Sequence, residues 1–233
     1  MALTDTPPTA TPRQRRKEAR PQELLDAALE LFVEKGFAAT RSEEVAVRAG
    51  VSKGTLYLYY PSKEELLKAV IRENISAEIA EGEDIVRAFE GPTTELLPHL
   101  IHEWWRRIGE TKASGICKII LSEVRNFPDI AQFYLEEVIE PAERMIASVI
   151  ERGIARGEFR PVPVHETVHA LIAPILFMML HKNSIGACPM MEHLIDPPKQ
   201  IAVQMDLMLH GLCPREPVAA AAQPAARKAQ GTR

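Results

Sequence analysis

The segment His165–His169 has the residue types of a metal site, because it reads His-Glu-Thr-Val-His. Histidines four residues apart lie on one face of a helix and can bind one zinc ion, while the glutamate between them can polarise a bound water. A zinc-dependent hydrolase is therefore one hypothesis for this chain. A catalytic zinc needs a third protein ligand, and the next histidine, His181, continues no zinc-enzyme pattern. We expect no enzyme and no resident cofactor, with a structural or effector metal on His165 or His169 left open.

A second group, Lys53–Tyr60, is suited to reading nucleic acid, and on a helical wheel its Leu56 and Tyr60 share the face expected to meet a core. The opposite face offers hydroxyls and apolar carbons, which in a major groove can contact phosphates and thymine methyl groups. Free backbone N–H groups at the helix start favour phosphate oxygens, and Gly54 permits close approach. The outward residues are Thr55, Leu58 and Tyr59, with Lys53 and Tyr57 on the flank. The alternative is an aromatic stripe buried against a neighbouring domain.

Charge is distributed unevenly along the chain. The 233 residues carry 28 Lys and Arg against 32 Asp and Glu, and the net charge of −4 by itself argues against nucleic acid as a partner. Residues 13–20, however, contain five basic side chains and one acidic one. Phosphate binding depends on such local clusters, so the acidic remainder does not exclude DNA. We interpret residues 1–17 as a disordered basic arm, which either contacts DNA or is simply solvated.

The composition indicates an ordinary soluble protein. Hydrophobic residues make up 46% of the chain and charged residues 26%, and the length suffices to bury a core without disulfides or structural metals. The three cysteines show no Cys-x-x-Cys spacing, which predicts reduced thiols in the cytoplasm. The apolar run at residues 170–180 is shorter than the roughly 20 residues of a membrane span, and no signal segment is recognisable. We therefore expect no membrane partner.

The elements that must position these groups are helices, since helical spacing of apolar residues recurs and no period-2 alternation flanked by turn residues is found. In the first 80 residues, a helix is expected to begin at Pro21, which suits a first turn. Thr40 is predicted to cap a second helix, which ends at Gly50. Two further helices are predicted to begin after the serine caps Ser52 and Ser62. The sequence therefore predicts an all-α fold.

Two short helices joined by a glycine turn within a three-helix core form a helix-turn-helix, which is expected at about residues 41–60. The C-terminal part is predicted to be a helical bundle, giving about nine to ten helices in all. Its helices are expected near residues 84–90, 93–110, 113–126, 128–156, 165–183 and 197–211. The predicted domains are the arm at 1–17, the helix-turn-helix domain at 18–78, the C-terminal domain at 79–213 and a disordered tail at 214–233.

Residues 18–78 resemble the DNA-binding domain of the TetR family of transcriptional regulators, most densely over Thr40–Leu67, which reads TRSEEVAVRAGVSKGTLYLYYPSKEELL. The resemblance implies that Lys63 grips a phosphate and that Thr40 and Ser42 touch the DNA backbone. Ser42 departs from the family, many members of which have an apolar residue there. The full set of expected DNA contacts is Thr40, Ser42, Ser52, Lys53, Gly54, Thr55, Tyr57, Leu58, Tyr59 and Lys63.

A single reading helix covers few base pairs, and each good contact contributes about 1–3 kcal/mol. A homodimer on a palindromic double-stranded operator is therefore expected. The wide apolar face of the last two helices is the predicted dimer surface, packing inside the monomer being the alternative. This surface comprises Val168, Leu171, Ile172, Ile175, Met179, Ile201, Met205, Met208 and Leu209.

The resemblance also implies a pocket for a small-molecule effector in the C-terminal helices, and aromatic residues there favour a hydrophobic ligand. The candidate pocket residues are His102, Glu103, Trp104, Trp105, Leu121, Arg125, Phe133, Tyr134, Phe177 and Met178. Each of them has core packing as its alternative role. The resulting prediction is a cytoplasmic repressor that a lipophilic ligand releases from its operator. A dimeric interaction protein that does not read DNA is the remaining alternative.

Overall fold

The computed structural model describes residues 12–214, with side chains from residue 20 onward, and this part of the chain is all-α without a strand. The predicted fold class is therefore confirmed. The expectations for the arm at residues 1–11 and for the tail at residues 215–233 lie outside the described residues.

The first four helices are α1 (Pro12–Lys35), α2 (Ser42–Arg48), α3 (Lys53–Tyr59) and α4 (Lys63–Ile71). Helix α1 begins at Pro12 and not at Pro21, so that residues 12–17 are helical and do not belong to a disordered arm. The intervening arginines, lysine, glutamate and alanine are good helix formers, and Pro12 supplies the first turn.

The predicted stop signals act as expected in the helix-turn-helix. Gly36 and Gly50 have φ of 86° and 66°, a left-handed conformation that costs glycine little, and each follows the end of a helix. The hydroxyls of Ser52 and Ser62 accept hydrogen bonds from the backbone N–H groups of Thr55 and Glu65, the third residues of α3 and α4. Both hydrogen bonds measure 3.1 Å. The start of the reading helix is thereby fixed by its own sequence.

Helix α4 does not end at a loop. It continues through a π-helical turn, Arg72–Ser76, into α5 (Ala77–Ala88). The separate helix expected near residues 84–90 is therefore wrong, and the domain boundary expected between residues 78 and 79 falls inside a continuous rod. No proline interrupts residues 63–88, so the backbone has no reason to leave the helix.

The remaining helices form the C-terminal bundle. They are α6 (Thr93–Trp104) with a π turn at Trp105–Gly109, α7 (Gly115–Glu123), α8 (Pro128–Tyr134), a π turn at Leu135–Ile139, α9 (Glu140–Ala155), α10 (Val164–Lys182) and α11 (Pro197–Leu212). If helices that run through a π turn are counted once, residues 12–214 contain nine helices.

The two parts of the chain share one core. The ring of Phe37, in the turn after α1, packs edge-on against Phe32 at 5.3 Å and against Phe127 of the C-terminal bundle at 4.9 Å between centroids. The side chain of Glu123 also accepts a hydrogen bond from the backbone N–H of Ala38. The helix-turn-helix is thus anchored to the bundle by side chains as well as by the α4–α5 rod.

Helix α10 and the turn after it, Val164–Ala187, are long and apolar enough to cross a membrane, with a mean hydropathy of 1.3. A third of this stretch is buried in the fold. Leu171, Ile175 and Met178 are almost fully buried and pack with the neighbouring helices, as is typical of the core helix of a helical bundle.

Candidate DNA interface and ligand cavity

Helix α3 is held by one buried residue and leaves much of its surface open. Leu56 is fully buried in the three-helix core, whereas 82% of Leu58 and 39% of Tyr57 are exposed. Lys53 and Gly54 are also exposed, at the N-terminal end of the helix. Such exposure of leucine and tyrosine on one short helix favours a surface that is covered by a partner.

Two residues of the predicted reading face are turned towards the protein. Tyr59 is half-buried and packs against the core, and Thr55 is half-buried with its hydroxyl 2.9 Å from that of Ser52. Residues three and four positions after Leu56 lie on its face of the helix, so Tyr59 accompanies Tyr60 inward. The expectation that Tyr59 points away from the core is therefore wrong.

Lys63 does not have the free ammonium group that the resemblance implies. Its Nζ donates hydrogen bonds to the carbonyl oxygens of Phe37, Ala38 and Thr40 at 2.8, 3.2 and 3.0 Å and lies 4.5 Å from the centroid of the Phe37 ring. An ammonium group has three N–H donors, and all three are occupied. Lys63 therefore fastens the turn between α1 and α2.

Thr40 and Ser42 are both buried. Thr40 is 1% exposed and its hydroxyl donates to the carbonyl oxygens of Leu31 and Gly36 at 3.1 and 2.7 Å, while Ser42 is 7% exposed. Burial and these hydrogen bonds argue against the predicted DNA-backbone contact of the Thr40 side chain, whereas a small part of Ser42 remains accessible and its contact stays a prediction. The N-cap of α2 is Arg41, whose backbone N–H donates to the Glu44 carboxylate at 3.1 Å.

Arg41 is an exposed cation that the sequence analysis did not identify as a candidate DNA contact. The side chain of Arg41 is exposed at the N-terminal end of α2 and makes no ion pair within residues 20–214. The other basic groups of this region are engaged: Lys53 pairs with Glu43, and Arg48 pairs with Glu34 at 2.8 Å. The signal that could have identified Arg41 is its place beside the helix start.

The C-terminal bundle and the second half of the α4–α5 rod line a partly open cavity of about 440 Å³. Four predicted pocket residues, Glu103, Trp104, Leu121 and Tyr134, line it. All three π turns of the described chain contribute lining side chains, among them Ile75, Ile108 and Val138. The remaining apolar lining comes mainly from α6, α7, α9 and α10. A mostly apolar cavity of this size is typical of a small-molecule site.

The other predicted pocket residues lie elsewhere. Neighbouring positions of a helix point about 100° apart, and here Trp104 and Tyr134 face the cavity whereas their neighbours Trp105 and Phe133 do not. Trp105, Phe133 and Met178 are core residues, while His102, Arg125 and Phe177 are exposed.

The polar rim of the cavity is acidic. Arg107 pairs with Glu78, Glu81 and Glu103, and the contacts to Glu78 and Glu103 measure 3.0 and 3.1 Å. Hydrogen bonds from Arg106 and Arg107 lower the pKa of Glu103 to about 2, so it is ionised at neutral pH. In the same cavity wall, burial raises the pKa of the Cys117 thiol to about 11, which keeps the thiol protonated.

In the fold, Glu143 lies beside the two histidines of the His-Glu-x-x-His motif. His165 and His169 lie on one face of α10 with ring centroids 4.2 Å apart, and the His169 Nε2 is 2.9 Å from the Glu143 carboxylate of α9. One donor atom from each of the three residues lies within 4.8 Å of the other two. Glu143, 22 residues before His165 and on a different helix, thus places a third donor group beside the two histidines, which the sequence spacing did not indicate.

Most of the predicted dimer residues are inside the monomer. Val168, Leu171, Ile175, Met179, Ile201 and Met205 are all less than 5% exposed, and Ile172 lines the cavity. Met208 and Leu209 are half-buried. The apolar residues that α10 and α11 expose are instead Leu176, Phe177, Val203 and Leu207. A helix that is apolar on all sides hides which side faces inward, which is why the sequence assigned the wrong one.

Two sequence patterns of one protein family match the chain. Residues 24–70 match "Bacterial regulatory proteins, tetR family", and residues 90–196 match "Tetracyclin repressor-like, C-terminal domain". Among similar proteins, the transcriptional repressor KstR2 of Mycobacterium tuberculosis is 31% identical over 144 residues, which cover 61% of this chain and 70% of the repressor. The uncharacterised regulator YfiR of Bacillus subtilis is 27% identical over 158 residues, 65% of this chain and 74% of YfiR.

Solved structures share the fold. The regulator FadR of Bacillus subtilis, crystallised with stearoyl-CoA, superimposes with a TM-score of 0.64 at 19% identity, covering 82% of this chain and 98% of FadR. A gamma-butyrolactone receptor gives a TM-score of 0.66 at 18% identity, covering 86% of this chain and 90% of the receptor. The family is one of transcriptional regulators and generally not of enzymes. With its helix-turn-helix, its all-α architecture and both matched segments, the chain belongs to the TetR family of DNA-binding transcriptional regulators.

Proposed function

We propose that this regulator is a cytoplasmic repressor that binds a palindromic operator as a homodimer and leaves it when a lipophilic molecule fills the cavity. The observation that carries the proposal is the rod formed by α4, the π turn and α5. Its first half belongs to the helix-turn-helix, and its second half contributes Ile75, Gly82 and Ile85 to the cavity wall.

This rod supplies the coupling between the two sites. Lys63, in its first turn, fastens the loop before α2, so a displacement of the rod is passed to the reading helix. At the other end, a Cβ added to Gly82 would lie 2.8 Å from the Met145 sulfur of α9. Because the rod and α9 pack that closely, a ligand between them acts on the rod directly.

The lining favours a lipophilic ligand without an anionic head group. Four carboxylates, those of Glu78, Glu81, Glu103 and Glu143, lie at the cavity against one guanidinium, that of Arg107. An anion brought to this rim would be repelled, whereas a neutral or cationic group would not. We therefore infer that the effector differs in charge from the stearoyl-CoA with which the structurally similar FadR was crystallised.

The DNA contacts are assigned to the exposed part of α3 and to the start of α2. Leu58 and Tyr57 are placed for base contacts, and the free guanidinium of Arg41 for a phosphate. The exposed apolar residues of α10 and α11 supply the dimer surface, in which two helices from each copy would form a four-helix bundle.

The experiment that tests this proposal is selection of bound sequences from a random DNA pool by the purified full chain. We expect enrichment of one sequence with two-fold symmetry and half-sites about one helical turn apart. Sedimentation of the complex should then give two chains per operator. Enrichment of an asymmetric sequence would contradict the dimeric arrangement, and a pool without enrichment would contradict DNA reading.

A further inference from the structure

We propose that His165, His169 and Glu143 form a binding site for a divalent cation of the zinc class at the edge of the cavity. The proposal extends beyond DNA reading and beyond the lipophilic effector, since neither requires a metal. It rests on the placement of three donor groups from two helices, which the sequence alone did not bring together.

The geometry suits a single ion. The donor atoms of the three residues lie within 4.8 Å of one another, and the ligand atoms around a tetrahedral zinc ion are about 3.3–3.4 Å apart, given bonds of about 2.0–2.1 Å. The two imidazoles are four residues apart on α10 and stand on one face. All three side chains are partly or fully exposed, so small rotations about their χ angles bring the atoms together.

The chemistry of the donor set selects the ion. Two imidazole nitrogens and one carboxylate oxygen suit Zn²⁺, Co²⁺ or Ni²⁺, whereas Mg²⁺ and Ca²⁺ prefer oxygen ligands alone. The hydrogen bond of 2.9 Å between His169 and Glu143 already holds two of the donors together. A cation would replace that bond by coordination to both partners.

The position of the site gives the ion a regulatory consequence. Glu143 and His169 are both lining residues of the cavity, so a bound ion would join α9 to α10 in the cavity wall. It would also add two positive charges to an acidic rim, which changes the electrostatic preference for the ligand head group. The change in ligand preference rests on the proposed ligand function, whereas metal binding itself does not.

Three protein ligands leave a zinc-class ion with at least one further coordination position. Because the cluster borders the cavity, a donor atom of the effector or a water could occupy that position. The alternative is an ordinary surface pair between His169 and Glu143, which contributes little to stability and binds no metal.

The test uses the full, tag-free chain after treatment with a chelator. Co²⁺ is titrated while the visible d–d absorption is recorded, and Zn²⁺ affinity is measured by competition with a chelating dye. We expect one ion per chain, and at least tenfold weaker binding in His165→Ala, His169→Ala and Glu143→Gln. Circular dichroism of each variant verifies that it is folded.

Two matched controls separate this site from adventitious binding. His210→Ala removes a histidine that also has a carboxylate four positions before it, Asp206, but has no second histidine beside it. Glu166→Gln removes the acidic residue within the motif that is not part of the cluster. Both should retain wild-type affinity. Absence of stoichiometric binding to the wild type, or equal affinity in the three cluster variants, would overturn the proposal, whatever the outcome of the DNA selection.

Discussion

The ammonium group of Lys63 lies 2.8 Å from the carbonyl oxygen of Phe37 and 4.5 Å from the centroid of the Phe37 ring. The first residue of α4 thereby satisfies the carbonyl groups of the turn between α1 and α2. Loss of this side chain would leave partly exposed carbonyl groups without this partner, at a total cost of about 1–3 kcal/mol because water can reach them. Although both residues are cations of the helix-turn-helix, we therefore expect loss of Lys63 to reduce stability and loss of Arg41 to reduce DNA binding.

We expect Lys63→Ala to lower the free energy of unfolding by about 1–3 kcal/mol, measured by urea denaturation. Arg41→Ala should leave stability within about 0.5 kcal/mol of the wild type, since its side chain is exposed and unpaired among the described residues. It should instead weaken DNA binding and reduce the salt slope by about one unit per lost phosphate contact. An unchanged salt slope in Arg41→Ala would remove it from the interface.

Leu58→Ala should weaken operator binding by more than about 1 kcal/mol in an anisotropy titration, with unfolding unchanged, because the side chain is exposed in the free protein. Leu194→Ala is the matched control, as Leu194 is exposed in the C-terminal part. Tyr59→Ala should lower stability as well as affinity, because Tyr59 packs against the core. Equal operator affinities of Leu58→Ala and the wild type would argue against α3 as the reader.

A bulky side chain in the cavity should abolish the response to the ligand and leave DNA binding intact. Ala142→Phe places a ring in the lining, whereas Ala80→Phe adds the same ring on the exposed side of α5. With dodecylamine and dodecanoate as probes of equal chain length, we expect the amine to release wild-type protein from the operator at lower concentration. Ala142→Phe should bind DNA but lose that response, and Ala80→Phe should keep it. Preference for dodecanoate would refute the inferred charge of the effector.

If the exposed apolar face of α10 and α11 is the dimer surface, a charge placed on it should prevent dimer formation. Phe177→Glu should convert the proposed dimer into monomers in sedimentation velocity, since an unpaired carboxylate would be buried in the interface. Leu194→Glu, in the segment before α11, should remain dimeric. If Phe177→Glu sediments as a dimer, the interface lies on another surface.

The acidic cluster around Arg107 predicts a dependence of stability on pH. Hydrogen bonds from Arg106 and Arg107 lower the pKa of Glu103 from 4.5 to about 2 in the folded chain. A lowered carboxyl pKa contributes stability above pH 4.5, and that contribution is lost as the pH falls from 4.5 to 2. The melting temperature of Glu103→Gln should therefore fall less over this range than that of the wild type. Glu151→Gln serves as the control and should follow the wild type.

Short-range signals in the sequence predicted most of the helix-turn-helix, although the N-cap of α2 is Arg41 and not the predicted Thr40. Serine caps, the left-handed glycines and the position of Leu56 depend on neighbours within one or two turns, and the structure has each of them as predicted. The roles of Lys63 and Glu143 depend instead on partners more than 20 residues away. No local pattern encodes such contacts, so they could not be predicted from spacing.

The sequence also did not show which side of an apolar helix faces the core. Helix α10 is apolar nearly all round, and its inner and outer residues became distinguishable only once its packing against α7, α9 and α11 was known. In the cavity, the presence of aromatic residues was predictable, but the choice between adjacent positions such as Trp104 and Trp105 was not. A rotation of one residue decides that choice.

The π turns at residues 72–76, 105–109 and 135–139 have a consequence for how this protein could change its effector. Each π turn accommodates one residue more than a regular α-helical turn. An insertion or deletion at such a turn therefore moves the side chains of that turn, among which are cavity-lining residues, while the flanking helical segments keep their register. Specificity could thus be altered by indels that leave every lining amino acid in place, a route that comparison of aligned substitutions would overlook.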